Sequence, residues 1–179
     1  MKLLRTIRLD PSDTFVFEQA AEPGEWAVSG GALLFGESDP AKLTGKARAA
    51  FRSGFLGVSS LGRSTLVQVV DATEEDRAAA VEMLVRSLAT RLDDPDEAFL
   101  RAVAEAEVAF AISLCEHAVG TLIAVHRTVE ADAIRETFRT LRPREGEKPA
   151  RAFSFLEVEG EDDAAEKVDL IGLARGRES

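Results

Sequence analysis

From Thr73 to Val129 the apolar residues recur most regularly. Val81, Leu84, Val85, Leu88 and Leu92 fall at i, i+3, i+4, i+7 and i+11, which places them on one helical face. The helix opens at Thr73-Glu74-Glu75-Asp76, where Thr73 serves as N-cap and the acids suit the positive end of the dipole. Asp93 to Glu97 separates it from a second helix, with Asp94 expected as N-cap, Pro95 in the first turn and Gly120 as the stop after about His117. That helix carries one face of Phe99, Val103, Ala106, Phe110, Ser113 and Leu114 and another of Leu100, Ala104, Ala111, Cys115 and Ala118. Two apolar faces predict burial on both sides, between a sheet and another layer. Thr121–Val129 then alternates as a strand, with Ile123, Val125 and Val129 facing one way and Leu122, Ala124, His126 and Thr128 the other.

The flanking sequence is strand-rich. Leu3–Leu9 and Thr14–Glu18 read as strands around the turn Asp10-Pro11-Ser12-Asp13. Trp26-Ala27-Val28 and Ala32–Phe35 flank Ser29-Gly30-Gly31 as a hairpin. Asp39-Pro40 opens a short helix ending at Gly54, and Phe55–Val58 and Ser64–Val70 follow as strands. Ile134, Phe138 and Leu141 at i, i+4 and i+7 predict a third long helix over Ala131–Leu141. Beyond the charged loop Pro143 to Pro149, Phe153–Val158 and Val168–Leu173 are candidate strands around the acidic loop Gly160-Glu161-Asp162-Asp163, and Ala174–Ser179 reads as a tail. The expected class is α+β: a mostly antiparallel sheet packed against a central helix pair. Residues 1–179 form one domain, with a strand-rich half at 1–72 and the helix pair plus C-terminal strands at 73–179.

Composition narrows the function classes. At 179 residues and 45% hydrophobic, the chain can bury an ordinary core. Its net charge of −10 repels nucleic acid and anionic membrane, so neither is expected as a partner. Arg5 and Arg8 interrupt the apolar run at the start before a signal peptide can form. No stretch nears the ~18 uninterrupted apolar residues of a membrane span. The lone Cys115 leaves no intrachain disulfide, which fits the cytoplasm.

Three sets of residues resemble chemical motifs. Gly57-Val58-Ser59-Ser60-Leu61-Gly62-Arg63-Ser64 is close to a phosphate-binding loop, but Arg63 replaces the required Lys and β-rich sequence follows where a helix is needed. Cys115 and His117 sit on different sides of a helix, so with His126 they make no converging metal or nucleophile set, and no metal or cofactor is expected. Arg135, Arg139 and Arg142 recur at i, i+4 and i+7, with Arg127 before them. Clustered guanidinium groups can bind carboxylate or phosphate. Arg127, Arg135, Arg139 and His126 are therefore the candidate ligand residues, against the plainer reading of a solvated helix face paired with Glu136 and the loop Glu161–Asp163.

Several stretches resemble a family of small bacterial proteins, chiefly alphaproteobacterial, built on a domain of unknown function. They are Phe15-Val16-Phe17-Glu18, Glu22-Pro23-Gly24-Glu25-Trp26-Ala27-Val28-Ser29-Gly30, Gly54-Phe55-Leu56-Gly57, Gly120-Thr121-Leu122-Ile123-Ala124-Val125-His126-Arg127, Ile134-Arg135-Glu136 and Phe138-Arg139-Thr140-Leu141. The resemblance spans nearly the whole chain and implies an association with a cofactor-dependent redox enzyme, while supplying no catalytic residue. The expected function is a non-enzymatic accessory or interaction protein, with binding of a small anion as the alternative. The surplus apolar face of the second helix predicts a homodimer or another protein partner.

Overall fold

The computed structural model describes residues 1–31, 33, 39–130, 133–143 and 156–162. Its centre is one eight-stranded sheet. In chain order the strands are β1 (Lys2–Ile7), β2 (Trp26–Val28), β3 (Phe55–Gly57), β4 (Arg63–Ser64), β5 (Leu66–Asp71), β6 (Leu122–Glu130), β7 (Ala133–Pro143) and β8 (Leu156–Asp162). They lie in the order β4-β3-β2-β1-β5-β6-β7-β8, and every neighbouring pair is antiparallel. The helices are α1 (Ser12–Val16), α2 (Gly45–Ser53), α3 (Glu74–Ala89) and α4 (Glu97–Ser113). The fold is α+β, and strands from both halves of the chain share the sheet.

Residues opposed across an antiparallel pair share a face, so the register sorts the side chains. Leu4, Val69, Val67, Ile123, Val125 and Phe138 lie on one face and are buried. Phe110 of α4 meets Phe138 edge to face at 5.8 Å, so this is the helix-covered face. The sheet curls. Phe55 on β3 and Phe138 on β7 have ring centroids 6.2 Å apart, although β2, β1, β5 and β6 separate their strands. The curl brings the β2–β3 end of the sheet against its β6–β7 end.

Thr73 caps α3 as the sequence implies, accepting from the Asp76 backbone N–H, and Asp76 in turn accepts from that of Thr73. Its buried stripe is Ala80, Val81, Leu84, Val85 and Leu88, while Leu92 lies past the helix end and is exposed. α4 begins two residues later than its sequence suggests. Asp96, not Asp94, is the N-cap, accepting from the N–H groups of Ala98 and Phe99. Asp94 instead turns the chain at φ 55, a left-handed conformation that Asp tolerates.

Other expectations are corrected. Residues 14–18 hold no strand: Asp10 accepts from the Ser12 N–H and a short helix, α1, follows. Ser64–Val70 is split at Thr65, whose N–H and hydroxyl both donate to Asp13. β2 pairs with β1 and β3 rather than with a strand after Gly31. The largest correction concerns the helix expected over 131–141, since Ala133–Pro143 forms β7 instead. Ile134 and Phe138 share a side at i, i+4 in a strand as well as in a helix, so their spacing decides nothing. Gly160, Glu161 and Asp162 belong to β8 rather than to a loop. The hairpin partner at 32–35, the loop at 144–149, the strand at 168–173 and the tail at 174–179 fall wholly or mainly outside the described residues.

α4 is not buried on two sides. Leu100, Ala104, Val108 and Ala111 are buried, joined by Glu107, and Cys115 is buried in the turn just after the helix. The opposite side, Phe99, Ala102, Ala106, Ala109 and Ser113, is exposed. α3 packs alongside α4 and is tied to it by the Arg101–Glu82 ion pair.

Candidate functional site

Four charged side chains meet where the curled sheet closes on itself. Arg127 of β6 and Glu136 of β7 are opposed in register on the helix-covered face. They are 1% and 2% exposed, and Arg127 Nε donates to Glu136 Oε1 at 2.5 Å. The rest of the guanidinium is used by backbone. Nη1 donates to the carbonyls of Phe51 (2.9 Å) and Gly54 (2.8 Å), the last turn and C-cap of α2. Nη2 donates to Ser29 O (2.5 Å) and Ser29 Oγ (2.9 Å). Five N–H groups thus face five acceptors, which uses the donor capacity of an arginine completely. Ser29 Oγ in turn donates to Glu136 Oε1.

Arg63 and Glu107 extend this network. Arg63 is buried and donates to Gly54 O at 3.0 Å, the carbonyl that Arg127 also uses. Burial lowers its guanidinium to about 9, the charge of Arg127 pushes in the same direction, and Glu107 opposes both. Glu107 Oε2 accepts from the Gly30 N–H at 3.0 Å. Two glycines make this closure possible. Gly30 has φ +68, and a Cβ on Gly31 would lie 2.6 Å from Glu136 Oε1 and 3.0 Å from Arg127 Nε. Ser29-Gly30-Gly31 therefore closes over a buried ion pair. Glu136 Oε2 is buried, and no donor among the described residues reaches it.

The candidate ligand residues separate onto two faces. Arg127 points into the network, while His126, Arg135 and Arg139 lie on the opposite, outer face of β6–β7. His126 opposes Thr137 and so lies diagonal to both Arg135 and Arg139. Arg135 pairs with Glu130 at 3.5 Å, and Arg139 stands opposite Glu161 in the β7–β8 register. None of the three is without a partner.

The phosphate-loop resemblance has a specific explanation. Glu25 Oε2 accepts from Ser59 N–H (3.1 Å), Ser60 N–H (2.9 Å) and Ser59 Oγ (2.6 Å). Oε1 accepts from Glu22 N–H at 2.7 Å. A cradle of backbone N–H groups is present, but the chain's own carboxylate fills it. Partial burial raises the Glu25 carboxyl, but the donors from Ser59, Ser60 and Glu22 outweigh it and hold the group below its ordinary range. Cys115 is buried and its thiol donates to Ala111 O. Burial pushes that thiol up to about 11 against a small opposing effect of Lys2. Among the described residues no group of three or more His, Cys, Asp or Glu could hold a metal ion, and no helix is long and apolar enough to cross a membrane.

Glu107, Ser29 and Glu25 are not among the residues that the sequence singles out, and Arg127, a candidate ligand residue by sequence, is a buried structural group. Two signals were available. Arg127 has the strand parity of Ile123 and Val125, and Glu107 has the helical phase of Leu100, Ala104 and Ala111. A charge at an inward position needs an inward partner. No curated protein and no solved structure matches the chain. One family does, over residues 1–155: the chain belongs to DUF6505, a family of unknown function.

Proposed function

We propose that this chain is a non-enzymatic accessory or interaction protein of the bacterial cytoplasm, serving a cofactor-dependent redox enzyme, and that its own contact surface is the outer side of α4. The observation that carries the reading is the exposed row Phe99, Ala102, Ala106, Ala109 and Ser113, with Phe99 53% exposed. Its 3-4-3-4 spacing is the seam of a two-helix coiled coil. Small residues let two such helices approach closely. A two-fold axis near Ala106 would set Phe99 against the Ser113 end of a second copy. The row is about 21 Å long at 1.5 Å per residue, shorter than the contact of a tight dimer, so the association is weak. The buried network supports the same reading, since the donors of Arg127 are all used in holding the fold.

A broad activity screen on purified protein tests the non-enzymatic part. Turnover of any substrate that one point substitution abolishes would remove it. The grouping of His126, Arg135 and Arg139 on one outer face favours a second reading, binding of a small anion there without Arg127. Calorimetric titration with inorganic phosphate decides it: heat that disappears in Arg135→Ala/Arg139→Ala supports that reading, and no heat removes it.

A further inference from the structure

Between Phe99 and Ser113, Glu105 is the one charged residue of α4 that is exposed: Arg101 is half-buried and Glu107 is buried. Helical phase sets Glu105 at i+3 from Ala102 and i−4 from Ala109, so it borders the apolar row at its middle. The cation one turn before it, Arg101, is held by Glu82 of α3 and by Glu97. Glu105 itself forms no ion pair or side-chain hydrogen bond among the described residues. The row it borders is self-complementary in size. Phe99 stands at one end, Ser113 at the other, and the positions between them in the row are alanines. Antiparallel pairing with a second copy therefore sets each large end against a small one.

We propose that Glu105 sets the strength of self-association through α4, because in the two-fold pair of helices it meets its own copy. This rests on the reading of the outer side of α4 as the contact surface. In an isologous contact, residues at equal distances on either side of the axis oppose one another. With the axis near Ala106, Glu105 lies one residue from it in both copies, on the same flank of the seam. Each dimer then sets two carboxylates against each other, and Arg101, the cation one turn away, is already engaged. Like charges juxtaposed across an interface weaken it and select against that pairing. One acid beside the axis thus holds the contact between identical copies weak. A second copy that carries a cation at this position is the better match.

The test is charge exchange at this position, read by sedimentation equilibrium of the full chain at micromolar concentration and low ionic strength. Glu105→Gln should self-associate about threefold more tightly than the parent. An equimolar mixture of parent and Glu105→Lys should associate about fivefold more tightly than either chain alone, and high salt should shrink that difference. Glu18→Lys makes the same change in net charge in the exposed segment after α1, and its mixture with the parent should associate no more tightly than its components. Glu105 is exposed, so the far-ultraviolet circular dichroism of both variants matches that of the parent. A parent that self-associates, with no excess in the Glu105→Lys mixture, overturns this inference and leaves the α4 contact standing. An equal excess with Glu18→Lys assigns the effect to net charge and also overturns it. If parent, Glu105→Gln and mixture all remain at 19.3 kDa, the α4 contact itself is overturned, and this inference with it.

Discussion

Arg127 shows how one side chain can hold several elements at once. It joins β6 to β7 through Glu136, to the end of α2 through two carbonyls, and to the loop after β2 through Ser29. Removing one member of a buried pair strands the other, at a cost of about 3–5 kcal/mol. Arg127→Ala and Glu136→Ala should each lose about that much in urea melts, and the double variant should lose clearly less than the sum. Additive losses would mean the two groups do not act as a pair. Glu25 yields a pH prediction. Its folded carboxyl lies below the ordinary 4.5. Its stabilisation is therefore complete above about pH 4.5 and is lost as pH falls through the folded value. The stability gap between the parent and Glu25→Gln should be wide near pH 6 and narrow near pH 3. A gap that does not change would contradict the cradle. Cys115, raised to about 11 by burial, should resist aromatic disulfide reagents near pH 8 until the chain is unfolded.

At the level of elements, the sequence was readable wherever one period stood alone. α3 is legible to its N-cap, because its stripe has only a helical period and its cap residues are adjacent in sequence; the reciprocal bond from Thr73 to Asp76 is shown by the structure alone. β7 is not legible, because Ile134 and Phe138 fit both periods and the deciding contacts, with β6 and β8, are distant in the chain. Once β7 is a strand, Arg135 and Arg139 lie on the face of the sheet opposite to Arg127. α4 is legible as a helix but not in its bounds or surroundings: it starts at Glu97 and ends at Ser113, and Leu114–Glu116 is a 3-10 turn where the sequence implies helix to about His117. Its sequence has two apolar faces, and only tertiary packing shows which one is covered. Phe138 is 2% exposed whereas Phe110 is half-buried at its edge. Phe138→Ala should therefore cost about 3–5 kcal/mol and Phe110→Ala about half of that. Thermal or urea unfolding of the two variants checks the order, and a larger loss at Phe110 would place α4 deeper than described.

The whole molecule is a curled antiparallel sheet that places its charges in three settings. Arg127, Glu136, Arg63 and Glu107 are inside and hold the ends of the curl together. His126, Arg135 and Arg139 lie on the outer face of β6–β7. Lys46, Arg48 and Arg52 project from α2. The inner set was the hardest to read from sequence, because its members come from four separate stretches that only the curl brings together. The outward row on α4 is mostly apolar, and the proposed role of the chain depends on that row being a contact surface. Two copies of net charge −10 repel at long range, so an apolar seam between them should tighten as salt screens that repulsion. Sedimentation equilibrium of the full chain at micromolar concentration, in low and high salt, tests this most directly. The expected mass rises from 19.3 kDa towards twice that value with concentration and with salt, and stays at 19.3 kDa for Phe99→Glu/Ala106→Glu. A parent chain that remains at 19.3 kDa in both salts would contradict it.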